Sequence, residues 1–323
     1  MWIVYSSISI LFYAFCEIYE KKGSNIDEEN SESKLLVWFG IFGLLVACFV
    51  SISGIRETNT NFIEMIQEYP YIFLGTAFYF LSLFFAFISL KFIPVSIEAP
   101  ITNTSGGLSL IGAIILHMSL NRYEEIAEEV TSLKLLLISI IFFVVTIFSI
   151  IYHNRVKQEE DENTLGILYK KGQHKKALLY VVVGIVCALL SSLCDAGNSV
   201  VSYYVLGEVA DSNDYLYLSN MIFFVLGVIS WIYISIKEKH IYNPFRKDQL
   251  DKAVGACLDC FGMVSNVLAI SANPFFADPI ISTYFMFTVL LSRFILKEKL
   301  SRSQYICIAV LVVCISGFAF LDL

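Results

Sequence analysis

The chain contains ten uninterrupted apolar stretches of about twenty residues, and these limit its fold more than any other feature. They cover approximately residues 2–20, 34–53, 71–91, 94–118, 134–153, 177–204, 214–236, 252–271, 275–295 and 303–321. A helix of about twenty residues crosses the roughly 30 Å hydrocarbon core of a bilayer. The strands of membrane barrels are shorter and alternate between apolar and polar residues. Any other non-helical backbone would leave its N–H and C=O groups without hydrogen-bond partners in lipid. The pattern therefore predicts an all-α polytopic membrane protein with ten transmembrane helices.

The composition excludes several classes of protein. Apolar residues make up 57% of the chain and charged residues 16%, whereas soluble domains carry roughly 25% charged residues. We therefore expect the bilayer as a partner, and we exclude a nucleic-acid binder, a disulfide scaffold and a cytosolic enzyme. All eight cysteines lie in apolar stretches and are interpreted as small hydrophobic residues. Cys257 and Cys260 form a C-x-x-C without a second pair or a nearby histidine, so we predict no metal and no cofactor.

Basic residues predict the orientation. Nineteen of the 22 Lys and Arg residues lie on one side of the ten predicted spans, and only Arg56, Arg122 and Lys134 lie on the other. The positive-inside rule then places both termini outside. Met1 to Phe15 contains no Lys or Arg, so this segment is interpreted as an uncleaved first helix. The short tails are typical of a bacterial plasma membrane protein, and a homodimer is compatible with the sequence.

The two halves of the chain resemble each other. Residues 1–153 form the predicted first repeat, 154–176 a polar linker and 177–323 the second repeat. An offset of 178 to 180 positions aligns Cys16-Glu17 with Cys194-Asp195, Gly75 with Gly255, Pro94 with Pro274, Pro100-Ile101 with Pro279-Ile280, and Leu120 with Leu300. With five spans in each half, the two repeats have opposite orientations in the membrane. Inverted repeats are typical of secondary transporters, which bind their substrate near the bilayer midplane.

These features resemble a known family. A proline opens the fourth span of each half, and Pro279 to Phe287 leads into Leu296-Lys-Glu-Lys-Leu-Ser301 and then into the stretch from Gln304 to Gly317. The chain is similar over nearly its whole length to the EamA-type members of the drug/metabolite transporter superfamily. The resemblance implies ten helices in two inverted five-helix repeats. It also implies transport of a small metabolite, a group that includes amino acids, amines, sugars and nucleotide-linked compounds.

Charged residues within the spans are the candidates for a transport site, because a charge in the bilayer is costly. Glu17, Asp195 and Asp259 are the three to explain, and each lies on a polar helix face. The complete set of predicted substrate-binding residues is Tyr13, Glu17, Tyr79, Thr102, Asn103, Asp195, Asn198, Asp259 and Tyr284. No catalytic residue is predicted.

Other carboxylates have simpler interpretations. Glu20 lies near the inner end of its span, so we expect it to face water. Glu98 and Asp278 follow Pro94 and Pro274, where a carboxylate can cap a helix N-terminus.

The sequence leaves several functions open. Acidic and aromatic side chains suit a cationic amine, which carboxylates and ring faces can hold. Alternatively, the carboxylates bind a coupling proton while an amino acid occupies the polar pocket. A third interpretation is transport of an anionic substrate, a nucleotide sugar or a sugar phosphate, that is held by Lys91 and Arg293. A membrane enzyme is less favoured because the four histidines are scattered and no hydrolase or nucleotide-binding motif occurs. A sensor without transport activity is the remaining reading.

Overall fold

The described part of the chain is a bundle of membrane-length helices. The computed structural model describes residues 1–25, 28–53, 62–120, 174–208, 210–273 and 275–298, together with a few isolated positions after residue 301. Within these residues all regular structure is helical. Eight helical segments are long and apolar enough to cross a membrane, which indicates an integral membrane protein. The predicted spans 134–153 and 303–321 fall wholly or largely outside the described residues, as do most of the linker 154–176 and Pro274.

The helices follow the predicted apolar stretches closely. The helical elements in chain order are α1 (Trp2–Gly23), α2 (Ser31–Ile52), α3 (Phe62–Glu68), α4 (Pro70–Phe92), α5 (Val95–Thr102), α6 (Ser105–Ser119), α7 (His174–Glu208), α8 (Ser212–Lys237), α9 (Leu250–Ala272), α10 (Ala277–Ile281) and α11 (Phe285–Leu291). A 3₁₀ turn, Lys247–Gln249, precedes α9, and another, Ser282–Tyr284, joins α10 to α11. A π-helical segment, Ser292–Leu296, follows α11.

Two predicted spans are broken in the structure. The stretch predicted as 94–118 consists of α5 and α6, which are separated at Asn103 and Thr104. Pro100 lies inside α5 and removes a backbone donor there, and α5 ends two residues later. The stretch predicted as 275–295 changes between α-helical, 3₁₀ and π-helical geometry along its length. Broken membrane helices are tolerated where they are enclosed by protein or line a cavity.

Three antiparallel helix pairs form the bundle. α1 packs along α9, α4 packs along α7, and α2 packs along α8. Glycines permit these close contacts: an added Cβ at Gly40 would lie 2.8 Å from the Cα of Gly227, and one at Gly262 would lie 2.7 Å from the ring of Tyr13. Small residues at helix contacts are typical of membrane bundles, where packing drives association.

Candidate functional site

A small acidic cavity lies at the centre of the bundle. It has a volume of about 80 Å³, and α1, α4, α5, α7, α9 and α10 all contribute to its wall. Six of its lining residues are carboxylates, namely Glu17, Glu20, Glu98, Asp195, Asp259 and Asp278. None of the described residues that line it is Lys, Arg or His. The cavity therefore favours cations electrostatically.

The three aspartates come from the second half of the chain, and we call them the second-half aspartates. Ser105 donates a hydrogen bond to Asp195 at 2.7 Å, and Ser109 donates one to Asp278 at 2.6 Å. Tyr203 in turn donates to Ser109 at 3.2 Å. Hydroxyl groups on α6 and α7 thus supply donors to buried carboxylates that would otherwise be costly in a membrane.

The third aspartate is held by a tyrosine. The Tyr79 hydroxyl lies 2.8 Å and 3.0 Å from the two oxygens of Asp259, so it can donate to either one. Tyr79 also packs edge-on against Phe223, which fixes the ring. Asp259 is only 3% exposed, and this contact joins α4 to α9 across the cavity.

The three glutamates come from the first half of the chain, and we call them the first-half glutamates. Tyr284 donates a hydrogen bond to one oxygen of Glu17 at 2.8 Å. The other oxygen of Glu17, Oε2, is buried without a hydrogen-bond partner, and so are Glu20 Oε1 and Glu98 Oε2. The three residues are 7%, 4% and 1% exposed. These three oxygens belong to residues that line the cavity, and none of the three has a hydrogen-bond partner among the described residues.

Lys21 is the nearest described cation to the first-half glutamates, but it has other partners. Its ammonium group donates to the backbone carbonyls of Leu90 and Ile93, the latter at 3.0 Å. These carbonyls lie at the C-terminal end of α4, where a cation interacts favourably with the helix dipole. Lys21 therefore stabilises a helix end and leaves the orphaned oxygens without a bonded cation.

The capping interpretation of Glu98 and Asp278 is not what the structure shows. Among the described residues neither carboxylate accepts a hydrogen bond from a backbone N–H of its own helix. The N-terminus of α5 is instead capped by Glu298, whose oxygens accept from the backbone N–H groups of Val95 at 3.1 Å and Ser96 at 3.0 Å. Glu98 is thereby left free to line the cavity.

Seven of the nine residues predicted to bind substrate line the cavity. They are Tyr13, Glu17, Tyr79, Thr102, Asp195, Asp259 and Tyr284. Asn103 does not line it, because its amide donates to the carbonyl of Ala99 at 2.8 Å. Asn198 lines a second, smaller cavity.

The sequence analysis missed Glu20, Glu98 and Asp278 as lining residues. The expectation that Glu20 faces water is wrong, because α9 covers it: an added Cβ at Gly255 would lie 3.1 Å from the Glu20 side chain. Gly255 and Gly262 on α9 were the available signal in the sequence, because small residues on one helix face indicate that another helix packs closely there.

A thin wall separates the acidic cavity from the smaller one. Tyr13, Tyr79 and Asn266 line both cavities, and the smaller one has a volume of about 20 Å³. Ser202 and Tyr215 lie on its far side, and their hydroxyls are 2.8 Å apart. One layer of side chains therefore separates two polar spaces along the bundle.

The two basic residues predicted as an anion clamp lie elsewhere. Lys91 forms an ion pair with Glu32. Arg293 lies over the ring of Tyr305, 5.8 Å from its centroid. Neither residue lines the acidic cavity.

An ion cluster closes one end of the bundle and contrasts with the cavity. Glu28 lies between α1 and α2, with Lys252 at 2.6 Å and Lys34 at 3.4 Å. Gln249 also donates to it at 2.9 Å. Burial alone would raise the pKa of Glu28, but the hydrogen bond from Lys252, the charges of the two lysines and the amide of Gln249 together hold it below the ordinary value.

The described residues contain no cluster of three or more His, Cys, Asp or Glu side chains arranged to hold a metal ion. The six carboxylates are therefore spread around the cavity wall and do not converge on one point at metal-ligand distances.

Comparisons with known proteins bear on the fold only. No family model and no curated protein matches the chain. Eleven solved chains match it in structure. One of them, a crystal structure titled only "Crystal structure of protein", superposes with a TM-score of 0.64 and 12% sequence identity, covering 98% of this chain and 96% of its own. At this identity the likeness shows a shared fold and does not extend to function.

Proposed function

We propose that the chain is a secondary active transporter of a small polar metabolite, a cationic amine or amino acid, that works by alternating access. The observation that carries the proposal is the cavity with six carboxylates, enclosed by membrane-length helices, in which none of the described lining residues is basic. Buried carboxylates in a membrane protein commonly mark an ion or substrate path.

Contacts between the two halves support an inverted-repeat arrangement. Glu17 and Asp195 occupy equivalent positions, and their hydroxyl donors Tyr284 and Ser105 are also about one repeat apart in sequence. The hydrogen bond between Tyr79 and Asp259 joins two equivalent positions, as expected of a contact near a pseudo-twofold axis. The packing of α1 on α9 likewise corresponds to that of α7 on α4. We therefore retain ten helices in two five-helix repeats, residues 1–153 and 177–323, and the resemblance to EamA-type transporters.

The broken helices support a site at this depth. α5 and α6 separate beside the cavity, and the segment from α10 to α11 changes helix type at Ser282–Tyr284. Discontinuous helices form the substrate sites of many secondary transporters. Rocking of one repeat against the other would expose the cavity to each side in turn.

Protons are the proposed coupling ion, because neighbouring carboxylates that repel one another can exchange a bound proton for a bound cation. The membrane is proposed to be a bacterial plasma membrane with both termini outside, as the Lys and Arg distribution predicts.

The anionic alternative is disfavoured. The carboxylates that line the cavity would repel any phosphate. Lys91 and Arg293, the proposed clamp, do not line the cavity.

The test is uptake by the purified full chain in liposomes under an imposed proton gradient. The compounds are ethylamine, choline, alanine and glucose 6-phosphate. We expect saturable uptake of a cationic or zwitterionic compound, and its loss in Asp195→Asn without loss of the folded protein by size-exclusion chromatography. Glu68→Gln, at an exposed position on α3 away from the cavity, is the matched control and should transport normally.

Two outcomes would overturn parts of this proposal. Full transport by Asp195→Asn would remove Asp195 from the site. Saturable uptake of glucose 6-phosphate alone would overturn the cationic substrate.

A further inference from the structure

We infer that the first-half glutamates form the subsite for the primary ammonium group of the substrate, whereas the second-half aspartates do not contact that group. The inference deepens the proposed transport function and rests on it. It distinguishes carboxylates that bind the ligand from carboxylates whose hydrogen-bond donors come from the protein itself.

Three orphaned oxygens carry the inference. Glu17 Oε2, Glu20 Oε1 and Glu98 Oε2 are buried, belong to residues that line the acidic cavity, and lack a hydrogen-bond partner among the described residues. A buried acceptor without a donor is costly, and more so when it is charged. An occupant that brings donors to these oxygens would recover that cost.

The number and kind of acceptors select the ligand. A primary ammonium group carries one positive charge and three N–H donors, so it can donate to more than one of these oxygens at once. A quaternary ammonium has the same charge but no N–H donor. A bare metal ion is disfavoured because the carboxylates are not arranged at metal-ligand distances in the described structure.

The protein does not fill this subsite with its own cation. Lys21 is close enough to interact electrostatically with Glu98, but its ammonium group is bonded to the carbonyls of Leu90 and Ile93. A ligand cation therefore does not need to displace a bonded lysine.

The surroundings suit an amine with a short apolar or polar remainder. The rings of Tyr13 and Tyr284 lie 5.4 Å apart and border the same cavity. Asn266 Oδ1 is a further buried acceptor without a partner in this wall. It would accept from a second donor on the substrate, such as a hydroxyl or amide group.

The second-half aspartates differ from the first-half glutamates in their hydrogen bonds, and this difference decides which set is assigned to the ammonium group. Each accepts from a protein hydroxyl, and none of their oxygens is both buried and unpartnered in the described structure. Their donors come from Tyr79, Ser105 and Ser109.

The first experiment compares ligands on the unaltered protein. Binding of ethylammonium, tetramethylammonium and sodium chlorides to the detergent-purified full chain is measured by thermal shift and by calorimetry at equal ionic strength. We expect ethylammonium to raise the unfolding temperature and the other two to leave it unchanged. Equal stabilisation by tetramethylammonium would assign the cation to ring faces and overturn the inference, and so would equal stabilisation by sodium.

The second experiment compares carboxylates. Glu17→Gln, Glu20→Gln and Glu98→Gln should each weaken ethylammonium binding by about tenfold or more, since a charge-assisted hydrogen bond is replaced by a neutral one. The surface control Glu68→Gln should bind ethylammonium within about twofold of the unaltered protein, because it removes no orphaned acceptor. If a glutamine variant fails to fold, the ligand comparison above still decides.

The outcomes separate this inference from the transport proposal. If Asp195→Asn loses ethylammonium binding while the glutamine variants keep it, the subsite is wrong and the transporter proposal stands. If ethylammonium binds as expected but no amine enters liposomes, the transport proposal fails and the cation subsite remains.

Discussion

The first-half glutamates and the second-half aspartates line the same cavity with equal numbers of carboxylates, yet the protein treats them differently. Tyr79, Ser105 and Ser109 donate to the aspartates, whereas three oxygens of the glutamates have no donor among the described residues. Formal charge alone does not distinguish the two sets. The supply of hydrogen-bond donors does distinguish them.

The largest expected effect on stability comes from Glu28, a glutamate that is paired with lysines of the protein itself. Glu28→Gln should lower the free energy of unfolding by about 3 kcal/mol, because it leaves a buried lysine without its partner. That lysine, Lys252, is 1% exposed. Thermal unfolding in detergent at pH 7 measures the change. Glu238→Gln is the control, with a smaller loss expected because its partner Lys34 keeps Glu28. A loss under about 1 kcal/mol in Glu28→Gln would show that this cluster is not a paired network.

Tyr79→Phe tests the aspartate side directly. The change keeps the ring and removes the donor to Asp259, which turns a satisfied carboxylate into an orphaned one. We expect a loss of about 2 kcal/mol, since hydrogen bonds to charged groups contribute about 1.5 to 3 kcal/mol. The same thermal measurement applies, and saturating ethylammonium should leave the difference from the unaltered protein unchanged, because both proteins keep the first-half glutamates. A smaller difference in the presence of ethylammonium would mean that Asp259 also binds the cation.

Tyr284→Phe makes the corresponding change on the glutamate side, because it removes the hydroxyl that donates to Glu17 Oε1. The expected loss is about 1 kcal/mol, smaller than for Tyr79→Phe because Glu17 already has an unpartnered oxygen. Here saturating ethylammonium should narrow the difference from the unaltered protein. If the two tyrosine variants respond alike to the amine, the distinction between the two sets of carboxylates disappears.

The pH dependence of stability should give the smallest effect. The pKa of Glu28 in the folded protein lies below its ordinary value of 4.5, so its ion pairs contribute stability above that pH and lose it as the pH falls through the folded value. We expect less than about 1 kcal/mol from this group, since it is partly exposed and screened by salt. Between pH 7 and pH 3 the difference in unfolding free energy between the unaltered chain and Glu28→Gln should narrow by less than about 1 kcal/mol. A difference that does not change with pH would contradict this assignment.

Much of the fold was predictable because membrane helices follow from local hydropathy. The stretch predicted at 71–91 is the helix Pro70–Phe92. The break between α5 and α6 was not predicted, although Pro100 marks it, because the mean hydropathy of the stretch Val95–Ser119 is high enough for a membrane span despite Asn103 and Thr104. The length of an apolar run does not report whether its backbone is continuous.

The site could be predicted where equivalent positions of the two halves meet. It could not be predicted where residues distant in the sequence determine the surroundings of a side chain. Tyr79 and Asp259 were both predicted to bind the substrate, they lie 180 positions apart, which equals the repeat offset, and the structure places them in hydrogen-bonding contact. Glu20 was assigned to water because its depth was judged from its own helix. Glu98 was interpreted as a cap, and the actual cap, Glu298, lies 200 positions away in the sequence. Contacts between residues so far apart in the sequence cannot be recognised from the spacing of residues within one helix.

The wall of Tyr13, Tyr79 and Asn266 has a consequence for the size of the ligand. In the proposed transporter a single layer of side chains lies between these two polar spaces. Loss of one ring, as in Tyr13→Ala, would join them into one larger cavity that admits a larger ligand. The thickness of one aromatic layer would then set the size of molecule that the bundle can enclose.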